Sequence, residues 1–187
     1  MSKVSTKERT KTTAVDTAAP FRWPDANSTA ELVLDEGLAF CARKAGLDSV
    51  ESVIESLRQG ESTVHQYCRY GLAKKVAESI GQLDENVKSV YTLDYDATPQ
   101  DRCFGADDQA SLIHLIVWAG RKTDALDALV KALDRALVQA YAELVNVPQL
   151  THLLDVQIVD DADVEGRRGY GALLSSIHNR PIKVWAR

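Results

Sequence analysis

The chain lacks any long hydrophobic run: its purely apolar stretches are only a few residues each, and His114 interrupts the richest of them. A bilayer-crossing helix needs about 20 such residues in a row, so a transmembrane helix is excluded on length. Nor does an apolar segment follow the basic start Met1–Thr13, so no secretory signal is expected and a cytoplasmic protein is the default. Cysteine is scarce. Cys41, Cys68 and Cys103 lie far apart and form no C-x-x-C pair, which argues against a zinc site or a redox dithiol. An odd count also fits poorly with a disulfide framework. Cys41 and Cys68 fall within helical apolar patterns, where a free thiol acts as a small hydrophobe, and Cys103 in a polar loop is the one reactive candidate. There is no basic stripe with interleaved aromatics. The formal charge of −5 conceals an asymmetry, because residues 1–22 hold five Lys/Arg against two acids. The acidic remainder repels a phosphate backbone, so nucleic-acid binding through the folded body is not expected, and membrane association is not expected either.

What is present suffices for a core, since 45% of the 187 residues are apolar. Residues 1–27 read as a disordered basic arm ending in Phe21-Arg-Trp-Pro24. Residues 28–82 read as a helical N-terminal layer. Ser28-Thr-Ala-Glu31 is a capping-box pattern opening the first helix, which Gly46 stops in the left-handed conformation. Asp48-Ser-Val-Glu51 repeats the device for a second helix ending at Gly60, and Ser62 or Thr63 opens a third through Val64, Cys68, Leu72, Val76 and Ile80.

Residues 83–187 read as an α/β sheet domain packed with those helices as one globular unit. Val87–Tyr95 is rich in β-branched and aromatic residues, and Leu112–Trp118 is a near-continuous apolar run suited to a strand covered on both faces. Only the Asp-, Gly- and Pro-dense segment 96–110 separates them, with no helical period, so the two strands are expected to pair antiparallel. Thr123–Val145 is the clearest helix, with Leu126, Leu129, Val130, Leu133, Leu137 and Tyr141 on one stripe, ended by Asn146 and Pro148. Leu154, Val156 and Ile158 alternate as a third strand, Tyr170–His178 reads as a helix, and Ile182–Trp185 as a short last strand. The fold class is therefore α/β (α+β), a small mixed sheet with flanking helices.

The order from Gly71 to Trp185 resembles the nucleotidyltransferase fold, especially its minimal members. The resemblance implies a helix, a strand ending in a Gly-Ser turn that holds the triphosphate, a strand with Asp-x-Asp for two metal ions, and a further helix and strand bearing another carboxylate. Here Ser111-Leu-Ile-His-Leu-Ile-Val117 is similar to the metal-binding strand, with Leu112 and His114 at the two aspartate positions. Asp155 falls where the third carboxylate would lie, and Leu93-Asp-Tyr-Asp96 replaces the Gly-Ser turn. Two-metal phosphoryl transfer needs clustered carboxylates, and leucine and imidazole are poor ligands for Mg²⁺. The resemblance thus implies a degenerate, non-catalytic domain without a cofactor, working through a protein partner or as a homo-oligomer.

Val90-Tyr-Thr-Leu-Asp94-Tyr-Asp96-Ala-Thr98 is also similar to the first motif of the haloacid dehalogenase-type phosphatases, with Asp94 as nucleophile and Asp96 as acid/base, and Asp160 and Asp161 imitating the later metal-binding acids. That resemblance implies a metal-dependent phosphoryl-transfer enzyme using Asp94, Asp96 and Asp155, although its family needs a crossover helix that segment 96–111 does not offer. A third alternative is an anion-binding module: in Gly166-Arg-Arg-Gly-Tyr-Gly171 the backbone at Gly169 and Gly171 can approach a ligand, and Arg167 and Arg168 can clamp a phosphate or carboxylate. Against each stands a plainer expectation. The acids at 94, 96 and 160–165 solvate a strand end or cap a helix, the two arginines pair with nearby acids, His114 is a buried core histidine, and Trp23, Trp118 and Trp185 are buried or sit at an interface.

Overall fold

A computed structural model describes residues 26–93, 113–177 and 180–187. Trp23, Asp94, Asp96, Cys103 and His178, on which several expectations fall, lie outside the described residues. Three helices come first: α1 (Ala26–Ala45), α2 (Val50–Arg58) and α3 (Ser62–Leu83). They are followed by β1 (Val87–Thr92), β2 (Ile113–Ala119), α4 (Asp124–Val145), β3 (Leu154–Val159), the short α5 (Asp161–Glu165), a 3-10 helix (Gly169–Ser175) and β4 (Ile182–Ala186).

The local chemistry explains most of these boundaries. Thr123 accepts the Leu126 N–H at 3.1 Å to start α4, and Asn146 ends it in the left-handed region at φ 59°. Gly46 takes φ +68° after α1, as expected. Two starts differ from the sequence reading. Ser28 lies within helix α1 rather than ahead of it, and α2 is capped by Ser49, whose Oγ accepts the Ser52 N–H at 3.2 Å, one residue after Asp48. The expected helix Tyr170–His178 is instead the 3-10 helix Gly169–Ser175, because two glycines in three residues weaken an α-helical start.

Among the described residues the sheet has four strands in the order β3-β2-β1-β4. Strands β1 and β2 pair antiparallel, Val90 opposite Val117 and Thr92 opposite Leu115, which matches the expectation from the short segment between them. Strand β4 adds antiparallel to the other side of β1. Strand β3 pairs parallel to β2, Ile113 opposite Leu154 through Trp118 opposite Val159, with α4 as the crossover helix that parallel pairing requires.

One face of this sheet carries the main core. Ile113, Leu115, Val117 and Ala119 of β2 are buried with Leu38 of α1, Leu72, Val76 and Ile80 of α3, and Leu126, Leu133 and Leu137 of α4. Helices α1 and α3 cross closely: a Cβ placed on Gly71 would come within 2.7 Å of the Gly37 carbonyl oxygen. The other face holds a smaller cluster, Tyr91, Ile116 and Val159, covered by Val164, Leu173 and Leu174. Trp118 and Trp185 are both half-buried, one on each face.

Asp134 determines where β3 begins. It lies inside the apolar stripe of α4 with its side chain about 10% exposed. One carboxylate oxygen accepts the N–H groups of Leu153 and Leu154, both at 2.9 Å, and the other bonds His152 Nδ1 at 2.8 Å. Truncating this side chain strands two buried donors, at a cost of about 1–3 kcal/mol each. Denaturant unfolding should therefore show Asp134→Ala losing roughly 2–5 kcal/mol. Asp134→Asn, which keeps one acceptor oxygen, should lose less. An alanine variant as stable as the parent would remove Asp134 from this role.

Candidate functional site

Strand alternation sends His114, Ile116 and Trp118 of β2 away from the helices, and Asp155 and Gln157 of β3 to the same side. The parallel register sets His114 directly opposite Asp155. Their side chains meet: His114 Nδ1 lies 2.8 Å from Asp155 Oδ2, and Gln157 Nε2 donates to Asp155 Oδ1 at 2.9 Å. An ionised carboxylate only accepts, so Nδ1 is the donor in this bond, which holds the orientation of the ring. His114 is accordingly not the buried core histidine of the sequence reading. Its side chain is 37% exposed, and Val164, Leu173 and Leu174 pack over Tyr91, Ile116 and Val159 on this face. The end of β1 lies alongside, since Thr92 Oγ1 donates to the His114 carbonyl at 3.2 Å and the Leu93 N–H to the same oxygen at 3.4 Å.

The acids that follow β3 are placed differently. Asp160 caps α5, accepting the Asp163 N–H at 2.9 Å, while Asp163 accepts the Asp160 N–H in return. Asp161 receives Lys88 Nζ at 2.6 and 2.7 Å and the Trp118 indole N–H at 2.8 Å, and these donors hold its carboxyl below the usual range. Lys122, 2.6 Å away, does the same for Asp163. Asp155 and Asp160 stand at opposite ends of β3, five residues or about 16 Å apart. Among the described residues no group of three or more His, Cys, Asp or Glu could hold a metal ion.

The glycine-arginine loop is shaped by backbone contacts. The Arg168 N–H donates to the Asp163 carbonyl at 2.8 Å, and a Cβ on Gly171 would lie 2.6 Å from the same oxygen. Arg167 and Gly169 take φ of 50° and 49°, and Arg168 Nε sits 3.8 Å from Asp163. The two thiols within the described residues are inert. Burial pushes Cys41 up to about 11 and raises Cys68 further.

A cleft of about 410 Å³ runs beside β3, lined by Val130, Asp134, His152, Leu154, Asp155 and Val156 and rimmed by Asp127 and Lys131. The His152–Asp134 pair on its wall was not anticipated from the sequence, where eighteen residues separate the partners. A usable signal existed, since Asp134 interrupts the apolar stripe four residues after Val130 and three before Leu137.

No family model, no curated protein and no solved structure matches this chain.

The Lys88–Asp161 contact yields a pH prediction. A carboxyl whose folded pKa lies below its free value stabilises the fold above that free value, near 4, and loses this contribution as pH falls through the folded one. Lys88→Met should therefore melt below the parent at neutral pH, with the gap closing under about pH 4 and shrinking in high salt, because both partners are exposed. Melting temperatures of the two proteins from pH 2 to 7 test this. A gap that does not vary with pH would contradict it.

Proposed function

We propose that this chain is a non-catalytic domain of nucleotidyltransferase-like layout that works through protein association. The observation that carries this reading is the state of Asp155. Where the resemblance places a metal-binding carboxylate, Asp155 spends one oxygen on His114 and the other on Gln157. Where it places the second aspartate stands the imidazole that occupies Asp155. A two-metal centre needs several oxygen ligands converging on each ion. Among the described residues, the other acids a phosphoryl-transfer enzyme could recruit, Asp160, Asp161 and Asp163, are engaged at the far end of β3 in a helix cap and in contacts to Lys88, Lys122 and Trp118. The anion-binding alternative at Arg167 and Arg168 has less support, because the close approach of Gly171 to the Asp163 carbonyl accounts for a glycine there, and Arg168 faces Asp163.

Titration of the full chain with Mg²⁺ or Mn²⁺ to millimolar levels tests this reading, followed by thermal unfolding and amide shifts. The expected outcome is no change beyond that given by an equal ionic strength of KCl. A saturable response centred on Asp94 and Asp96 would contradict it and favour the metal-dependent enzyme.

A further inference from the structure

Every carboxylate of the cleft beside β3 is already engaged within the molecule: Asp127 with Lys131 at 2.5 Å, Asp134 with two amides and His152, and Asp155 with His114 and Gln157. What the cleft leaves unmet is backbone. Strand β3 is an edge of the sheet among the described residues. The Ile113 N–H donates to the Leu153 carbonyl at 2.8 Å, so in the parallel ladder residues 153, 155 and 157 turn their peptide groups toward β2, and residues 154, 156 and 158 turn theirs outward. Asp134 takes the outward N–H of Leu154. The N–H groups of Val156 and Ile158, and the carbonyls of Leu154, Val156 and Ile158, have no partner strand among the described residues. This edge is lightly guarded: Leu154–Val159 contains no proline, no lysine or arginine and no register shift, and its one charged side chain, Asp155, is engaged by His114 and Gln157.

The sequence of the strand selects an occupant. In antiparallel pairing about a two-fold axis at Val156, Leu154 faces Ile158, Asp155 faces Gln157, and Val156 faces itself. With the Leu154 N–H held by Asp134, four ladder bonds form, Val156 N–H to the Val156 carbonyl and Ile158 N–H to the Leu154 carbonyl in each direction, and the Ile158 carbonyls stay with solvent. Apolar side chains meet on the helix side, and a carboxylate meets an amide donor on the other. Moving the axis to Asp155 sets two carboxylates opposite each other, and moving it to Gln157 sets Asp155 against Val159. The rim carries both charge signs, Asp127 and Lys131, so two copies do not meet as like-charged walls. We propose that β3 is the pairing edge for a second copy of this chain, joined antiparallel about Val156 into one continuous eight-stranded sheet. The inference rests on the association reading above and specifies its surface.

Sedimentation velocity of the full chain and of Val156→Pro tests it. Proline removes the outward N–H at the centre of the interface but none that the β2 ladder uses. The parent should sediment as a dimer at micromolar concentration, and the variant as a monomer with the parent's circular dichroism. A dimer that survives the substitution overturns the β3 edge but leaves self-association standing. A parent that is monomeric throughout also overturns it, leaving association with a different protein to be judged by the metal titration. Should the variant not fold, amide exchange on the parent decides: protection of Val156 and Ile158 that grows with protein concentration supports the edge, and fast exchange at every concentration overturns it.

Discussion

The register of β3 against β2 is the constraint on which the candidate site depends, and Asp134 is the group that sets it. Side chains alternate along a strand, so a slip of one residue would carry Asp155 to the helix face and bring Leu154 or Val156 opposite His114. Two amide bonds from Leu153 and Leu154 to one buried carboxylate prevent that slip, because any other start would leave Asp134 buried without those donors. A polar side chain in the core stripe of α4 thus fixes geometry on the opposite side of the sheet. Stability, register and the His114–Asp155 pair form one chain of cause.

The two faces of the sheet divide the work. The helix face buries the aliphatic residues of β2 against α1, α3 and α4 and supplies the bulk of the packing. The other face is covered, among the described residues, by a segment that Asp161 and Asp163 fasten to Lys88, Trp118 and Lys122. These contacts are exposed, so each adds little by itself. Together they hold Val164, Leu173 and Leu174 over Ile116. Among the described residues, His114 and Asp155 lie on this face beside β3, the edge strand of the sheet.

Much of this was legible in the residues. The caps at Thr123 and Asn146, the apolar stripe between them, and the short non-helical segment after β1 specify α4 and the antiparallel β1/β2 pair through local chemistry alone. What remained hidden depends on partners distant in sequence. The run from Leu112 to Trp118 reads as a strand covered on both faces, and nothing local indicates that His114 is part-exposed and bonded to Asp155, 41 residues away. The Asp134–His152 pair joins a helix to a loop, and only the misplaced polarity of Asp134 hinted at it. The acids after β3 were readable as a cap at Asp160, but their lysine partners lie 73 and 41 residues away, at Lys88 and Lys122.

The His114 imidazole holds Asp155, the carboxylate that a metal would need under the proposed reading. Long-range ¹H–¹⁵N spectra of the His114 ring, recorded as Mg²⁺ is added to the full chain, test this most directly. The account predicts a proton on Nδ1, bonded to Asp155, and ring nitrogens whose shifts do not move with the ion. A saturable shift of either nitrogen, or release of the Nδ1 proton from Asp155 on adding metal, would contradict it.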